Sequence, residues 1–175
     1  MYKIKNDSTL GIKDIFTDAF IWLKKSRKHY PSSSDIWDFR QKWDETSKHI
    51  IKSFIRGTYE FDVQKKIHKS NGETLALWLS SDALILKVLT CLIQKILTPF
   101  LSRNCYHLKG NGGLKGAVND VLRQYPDYRF FMKTDVRSYY DSIDHHILLM
   151  KLKNYIEDRK LLRYVWQFLI RTVEW

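Results

Sequence analysis

Apolar residues recur at three- and four-residue spacing through most of the chain, the period of a helix buried on one side. The first stripe, Ile12, Ile15, Phe16, Ala19, Phe20 and Leu23, predicts a helix within residues 1–29. Lys24-Lys25-Ser26-Arg27-Lys28 follows, and cations suit a helix C-terminus, so this run reads as a solvated end. Residues 31–34 read as a loop, with Ser34 or Asp35 placed to cap the next helix. Ile36, Phe39, Trp43, Ser47, Ile50, Ile51 and Phe54 then continue one helical stripe to Gly57, a suitable stop. Trp37 lies off that stripe.

The period then shortens. Residues 63–68 and 74–79 are short and partly alternating, and Ser70-Asn71-Gly72 stands between them, a hairpin signal. Asp82 is placed to cap a long apolar helix with the stripe Ile85, Leu89, Leu92, Ile96 and Phe100, ended by Pro99. Residues 102–115 form a glycine-containing loop, and a helix over about 114–124 follows. Tyr125-Pro126-Asp127 is a turn. Residues 128–136 read as a strand, with Phe130 and Met132 on one face and Phe131 and Lys133 on the other. Asp144 is placed to cap a helix carrying Leu148, Leu152 and Tyr155, and a last helix is expected over about 160–173.

Composition narrows the class. The 175 residues are 44% hydrophobic and 14% aromatic, too apolar for disorder, while seven Gly and three Pro are too few for a turn-rich all-β chain. Thirty basic residues against 19 acidic give a net charge of +11. The excess has no tail: 16 basic and 11 acidic residues lie in 1–88, 14 and 8 in 89–175. A positive field on a folded body favours phosphate backbones or anionic surfaces as partners. Cys91 and Cys105 form no disulfide framework and suggest a reducing, cytoplasmic setting. Cys105 and His107 lack further ligand-type neighbours, so a zinc site is not expected. The first residues show no apolar leader, and Lys87, Gln94 and Lys95 interrupt the apolar run 83–101, which reads as a buried helix rather than a membrane span.

The chemistry concentrates in Phe131-Met132-Lys133-Thr134-Asp135-Val136-Arg137-Ser138-Tyr139-Tyr140-Asp141-Ser142-Ile143-Asp144-His145. A carboxylate where a strand meets a loop is well placed to hold a metal-bound phosphate, and an aromatic ring five residues on could pack against a sugar. A turn acid and core tyrosines are the plainer alternative for those residue types taken singly.

Taken together they resemble the first carboxylate motif of bacterial reverse transcriptases, those of group II introns, retrons and diversity-generating elements. That motif is an apolar strand, Asp-(Ile/Val)-x-x-(Phe/Tyr)-(Phe/Tyr), then Asp-x-Ile-Asp-His and a helix. Upstream, Ile67-His68-Lys69-Ser70-Asn71-Gly72-Glu73 is similar to the family's fingers hairpin, with Thr74, Leu75 and Ala76 where Arg is usual. Asp82-Ala83 resembles its Asp-Arg helix start, with Ala83 for Arg. His107-Leu108-Lys109-Gly110-Asn111-Gly112-Gly113 resembles its glycine-containing template segment. The likeness covers roughly residues 35–160.

The resemblance implies an α+β polymerase right-hand fold: mostly helical fingers with a β-hairpin and the first part of the palm, incomplete. It divides the chain into an N-terminal helical extension (1–58), fingers (59–126) and partial palm (127–175). It implies RNA-directed DNA synthesis by two-metal nucleotidyl transfer, with Mg²⁺ as cofactor and an RNA template, a DNA primer and a dNTP as partners, and no membrane. Asp135 would be the catalytic carboxylate and, with the Val136 carbonyl, a metal ligand. Lys69 and the Ser138 and Tyr139 N–H groups would face the triphosphate, and Tyr140 would pack under the sugar. Lys109, Gly110 and Gly112, beside Tyr106 and His107, would touch the template. Asp141, Asp144 and His145 read as structural. The family's Tyr/Phe-x-Asp-Asp hairpin does not occur before Trp175, so the chain alone is expected to be inactive and to self-associate through the incomplete palm. The alternatives are a non-catalytic RNA-binding module of the same descent and a basic protein–protein adaptor.

Overall fold

The computed structural model describes residues 9–68, 72–108 and 110–171, which form two compact units. One unit is discontinuous, made of the chain up to Ile96 and the chain from His145; the other is Leu97–Asp144.

The discontinuous unit opens with α1 (Thr9–Ser26), whose predicted stripe is buried: Phe16 and Leu23 are fully enclosed, and Ile12, Ala19 and Phe20 nearly so. The single helix expected over residues 36–54 is two, α2 (Asp35–Gln41) and α3 (Trp43–Arg56). The break is Lys42, whose φ of −89° and ψ of 8° lie off the helical basin. The stripe survives because the bend preserves the facing side: Phe39 and Trp43 both pack on Phe20, the Trp43 ring stacked at 4.0 Å. Gly57 ends α3 at φ 79°, as expected for a left-handed stop. Trp37 is half-exposed and its indole N–H donates to the Pro31 carbonyl at 2.9 Å.

The hairpin forms as the alternation predicts. β1 (Lys65–His68) and β2 (Thr74–Leu77) pair antiparallel, with Lys65 opposite Leu77 and Ile67 opposite Leu75. The predicted turn residues Ser70 and Asn71 lie outside the described residues.

α4 (Ser80–Leu97) buries Leu84, Ile85, Val88, Leu89, Leu92 and Ile96, whereas Phe100 is exposed in a 3-10 turn after it. By length and composition alone, Ser80–Phe100 could cross a membrane; its apolar face is used here in the core. Asp82 is not the cap of this helix. It sits within the first turn, 1% exposed.

After the other unit come α7 (His145–Lys153) and α8 (Arg159–Leu169), packed on each other. Asp158 caps α8 by accepting the Lys160 N–H at 2.8 Å. α8 closes the core by seating Tyr164, fully buried, in a stack on Phe54 at 4.9 Å; Phe54 in turn meets Phe16 edge-on. It also satisfies the loose C-terminal carbonyls of α3, which carry the negative end of that helix. Lys160 Nζ donates to the Ile55 carbonyl at 2.7 Å, the Tyr164 hydroxyl to Phe54 at 2.9 Å, and Arg163 to Gly57. A Cβ on Gly57 would stand 2.9 Å from Lys160 Cγ, so glycine there serves both the left-handed turn and the close approach of α8.

The Leu97–Asp144 unit holds α5 (Gly113–Gln124), a 3-10 turn at Tyr125–Asp127 and the one-turn helix α6 (Tyr139–Ser142). The strand expected over 128–136 is not formed. The two-stranded sheet of the described residues is β1 with β2, so the stretch has no ladder partner and is irregular. Phe130, Phe131 and Met132 are 90%, 88% and 86% exposed.

Candidate functional site

Asp135 lies near the end of this irregular stretch, exposed, with Oδ1 accepting the Val136 N–H at 3.0 Å. The chain then turns sharply at Ser138, whose φ of 51° and ψ of 37° are left-handed. It is the one non-glycine residue with positive φ among those described. Such a backbone costs an L-residue about 1–2 kcal/mol. The turn starts α6: the Ser142 N–H donates to the Ser138 carbonyl and the Ser142 hydroxyl to the Tyr139 carbonyl, both at 3.0 Å. It places Tyr139 and Tyr140 edge to face at 5.4 Å, with Tyr140 84% exposed. A ring so free can cover a ligand's flat or apolar face.

The strain makes a prediction. Ser138→Gly should stabilise the turn by about 0.5–1 kcal/mol. Native-state hydrogen exchange at the Ser142 amide reads it, and unchanged or weaker protection would contradict the left-handed assignment.

The glycine segment is built for close approach. Gly112 caps α5 at φ 87°, and a Cβ there would stand 3.1 Å from Gly116 Cα. A Cβ on Gly116 would lie 3.2 Å from the Asn111 carbonyl. Gly110 is left-handed and its neighbour Asn111 ties the loop by donating to the Cys105 carbonyl at 3.1 Å. The Tyr106 hydroxyl donates to Asp120, whose other oxygen takes Arg123 at 2.5 Å. That bond raises the Tyr106 pKa and commits its hydroxyl within the unit. His107 is exposed. Lys69 and Lys109 lie outside the described residues.

A divalent-ion centre is not complete here. Asp135 and the Val136 carbonyl are hard oxygen donors of the right kind, but among the described residues no group of three or more His, Cys, Asp or Glu side chains converges. This donor set does not fit a two-ion site.

Two buried polar clusters in the discontinuous unit were not anticipated as such. Arg27, expected in solvent, is 7% exposed. It donates to the Ser80 hydroxyl at 2.9 Å and the Trp78 carbonyl at 2.8 Å, and pairs with Asp35 at 3.5 Å. The other Asp35 oxygen accepts the Ser80 N–H at 2.5 Å. Asp82 accepts the Tyr59 hydroxyl at 2.6 Å and the Asp62 N–H at 3.1 Å. Burial raises the Asp82 pKa, against those two hydrogen bonds. Burial, then the Asp82 charge, pushes the Tyr59 hydroxyl up. The spacing held the signal: Arg27 extends the stripe Phe16, Phe20, Leu23, and Asp82 begins the stripe Ile85, Leu89, Leu92.

Two surface features of this unit bear on ligands. A groove of about 430 Å³ lies between residues 27–35 and the hairpin face formed by Lys65, Ile67, Leu75 and Leu77. Lys48, Lys52 and Arg56, four apart and all exposed, make one basic face of α3.

No family model matches the chain. It is distantly similar to intron-encoded proteins, among them one encoded by a group II intron. One is the group II intron-encoded protein LtrA of Lactococcus lactis, 21% identical over 95% of this chain and 31% of its own length. Another is a putative COX1/OXI3 intron 1 protein of Saccharomyces cerevisiae, 20% identical over 65% of this chain and 14% of its own. The chain therefore spans about a third or less of the length of these relatives.

Proposed function

We propose that this chain is the fingers and first palm portion of a reverse transcriptase of the group II intron kind, a right-hand polymerase whose first carboxylate is Asp135. The observation that carries the reading is the run from Thr134 to His145, set on an exposed stretch and folded by a strained turn that leaves Tyr140 open. The similarity to intron-encoded proteins across 95% of the chain supports it. In this reading Asp135 contributes one metal ligand and Tyr140 covers the sugar of an incoming nucleotide. The glycine segment touches the backbone of an RNA template paired with a DNA primer, and the exposed cations of α3 are a basic face that binds nucleic acid in its own right. The sequence has no Tyr-x-Asp-Asp, so the chain by itself supplies too few carboxylates for synthesis.

A second reading, a non-catalytic RNA-binding module of the same descent, is favoured by one observation: among the described residues no three His, Cys, Asp or Glu side chains converge, at Asp135 or elsewhere.

Binding to an RNA template–DNA primer duplex tests both. Affinity should fall steeply with salt, and each of Lys48→Ala and Lys52→Ala should reduce the slope of log affinity on log salt by about 1. Asp135→Ala should leave that binding intact, and primer extension by the chain alone should be absent. Binding insensitive to salt would remove nucleic acid from the account and favour a protein adaptor. Asp135-dependent extension would overturn the inactivity. Fusing the remaining length of the Lactococcus relative downstream separates the two readings: Asp135-dependent synthesis supports the polymerase, and its absence with intact RNA binding supports the module.

A further inference from the structure

We propose that Arg27 and Asp82 are positioning residues for the β-hairpin: they fix its two stems and so aim the basic strand β1 at the phosphates of a bound nucleic acid. The aim rests on the nucleic-acid reading above; the fixing of the stems does not.

The hairpin cannot set its own direction. A two-stranded ribbon is marginal in water by itself, and β1 is exposed along its whole length. It carries Lys65, Lys66 and His68, and neighbouring side chains alternate, so both faces are basic. The direction of such a ribbon is decided at its base.

Both stems are bonded there by buried charged groups. In the ladder Lys65 stands opposite Leu77, and the same register carried outward sets Asp62 opposite Ser80. The Asp62 N–H donates to Asp82 at 3.1 Å. Ser80 is held twice: its N–H donates to Asp35 at 2.5 Å, and its hydroxyl accepts from Arg27 at 2.9 Å. Arg27 also donates to the carbonyl of Trp78, the first residue past β2, at 2.8 Å.

The Asp62 N–H, the Ser80 N–H and the Trp78 carbonyl are main-chain groups, so these bonds fix the path of the chain rather than the pose of a side chain. Arg27 and Asp82 are almost wholly buried, where a broken bond leaves a polar group without a partner. Ser80 and Asp82 share the first turn of α4, so one helical turn ties the two stems together, and Arg27 ties that turn to the end of α1. The groove gives this a consequence. Arg27 and Asp35 line one wall and Lys65 the other, so the same bonds set how far Lys65 stands from residues 27–35.

Spin labels on Glu73→Cys and Thr90→Cys, with Cys91→Ser and Cys105→Ser, read the direction of the hairpin against α4 without nucleic acid. One narrow distance distribution is expected, broadened by Asp82→Ala and by Arg27→Lys. Asp82→Asn, which keeps an acceptor for the Asp62 N–H, should restore the narrow one. On an RNA template–DNA primer duplex, Lys65→Ala with Lys66→Ala should lower the slope of log affinity on log salt by about 2 in the wild type and hardly at all in Asp82→Ala. Lys52→Ala should lower it by about 1 in both backgrounds, whereas a merely structural loss would move the two faces alike. Ser80→Ala, which removes a single acceptor of Arg27, serves for both measurements if the other variants do not fold. A distribution that none of the variants broadens would overturn the proposal. So would a share of the slope from Lys65 and Lys66 that survives them, or one that is absent in a wild type that responds to Lys52→Ala. Broadening in a chain that binds no nucleic acid would fault the functional reading and leave the fixing of the stems standing.

Discussion

Arg27→Ala is expected to lower the stability of the discontinuous unit by about 3 kcal/mol, measured by urea unfolding. The guanidinium serves three acceptors from three segments: Asp35 at the start of α2, the Trp78 carbonyl after β2, and the Ser80 hydroxyl at the start of α4. Removing it strands the Trp78 carbonyl and the Ser80 hydroxyl and leaves a void in the side of the core. Asp35 loses its cation and keeps the Ser80 N–H. The expected loss falls at the low end for a broken buried pair because the Asp35 side chain is 37% exposed and water can reach it. Arg27→Lys should recover little: one ammonium cannot span acceptors that a planar fork reaches on two sides. A loss under 1 kcal/mol for Arg27→Ala would show that the cluster is solvated.

Asp82→Ala is expected to cost about 2–4 kcal/mol, since it orphans the Tyr59 hydroxyl and the Asp62 N–H in a site that is 1% exposed. Asp82→Asn should cost far less, because a side-chain amide can keep a partner for each. The two also differ in pH response. The folded pKa of Asp82 is raised by burial, so the native state holds its proton more tightly than the unfolded chain. This carboxyl's contribution to stability is greatest below its unfolded pKa of about 4 and declines as pH rises through the folded value. Above that value the buried anion opposes folding. Asp82→Asn should abolish this component, so the stability difference between it and wild type should shift in favour of the variant as pH rises from 4. A difference that does not change with pH would show that the carboxyl stays as well solvated folded as unfolded.

These two clusters mark where sequence reading stops. Apolar spacing placed α1, the hairpin, α4 and α5, and the Gly57 stop, because burial and turn geometry are written in residue type and period. It misread Arg27 and Asp82 because a charge beside a helix end is ordinarily a solvated terminus or a cap. Burial became affordable only through partners 51 and 20 residues away in sequence. It missed the break at Lys42 because a bend that keeps the stripe on one side leaves no mark on spacing. It read 128–136 as a strand because alternation and apolar content are local, whereas a strand exists only where another offers hydrogen bonds. In the site, Asp135 and Tyr140 were legible as a motif. The left-handed backbone at Ser138 was not, since nothing in a serine announces it.

α8 has a consequence in time as well as in space. The Phe54 carbonyl and the Tyr164 hydroxyl that binds it are separated by 110 residues, and the Leu97–Asp144 unit is spelled out between them. During synthesis, α1 to α4 leave the ribosome with Phe54 uncovered and the C-terminal carbonyls of α3 unmet. Roughly 70 more residues must be added before Tyr164 arrives, which takes about 4–14 s at ordinary elongation rates. Through that interval the nascent chain carries half a core. Slowing translation between α4 and α8 would lengthen its exposure, and permuting the chain so that α8 is made directly after α4 would remove the delay while leaving the native packing of this unit the same.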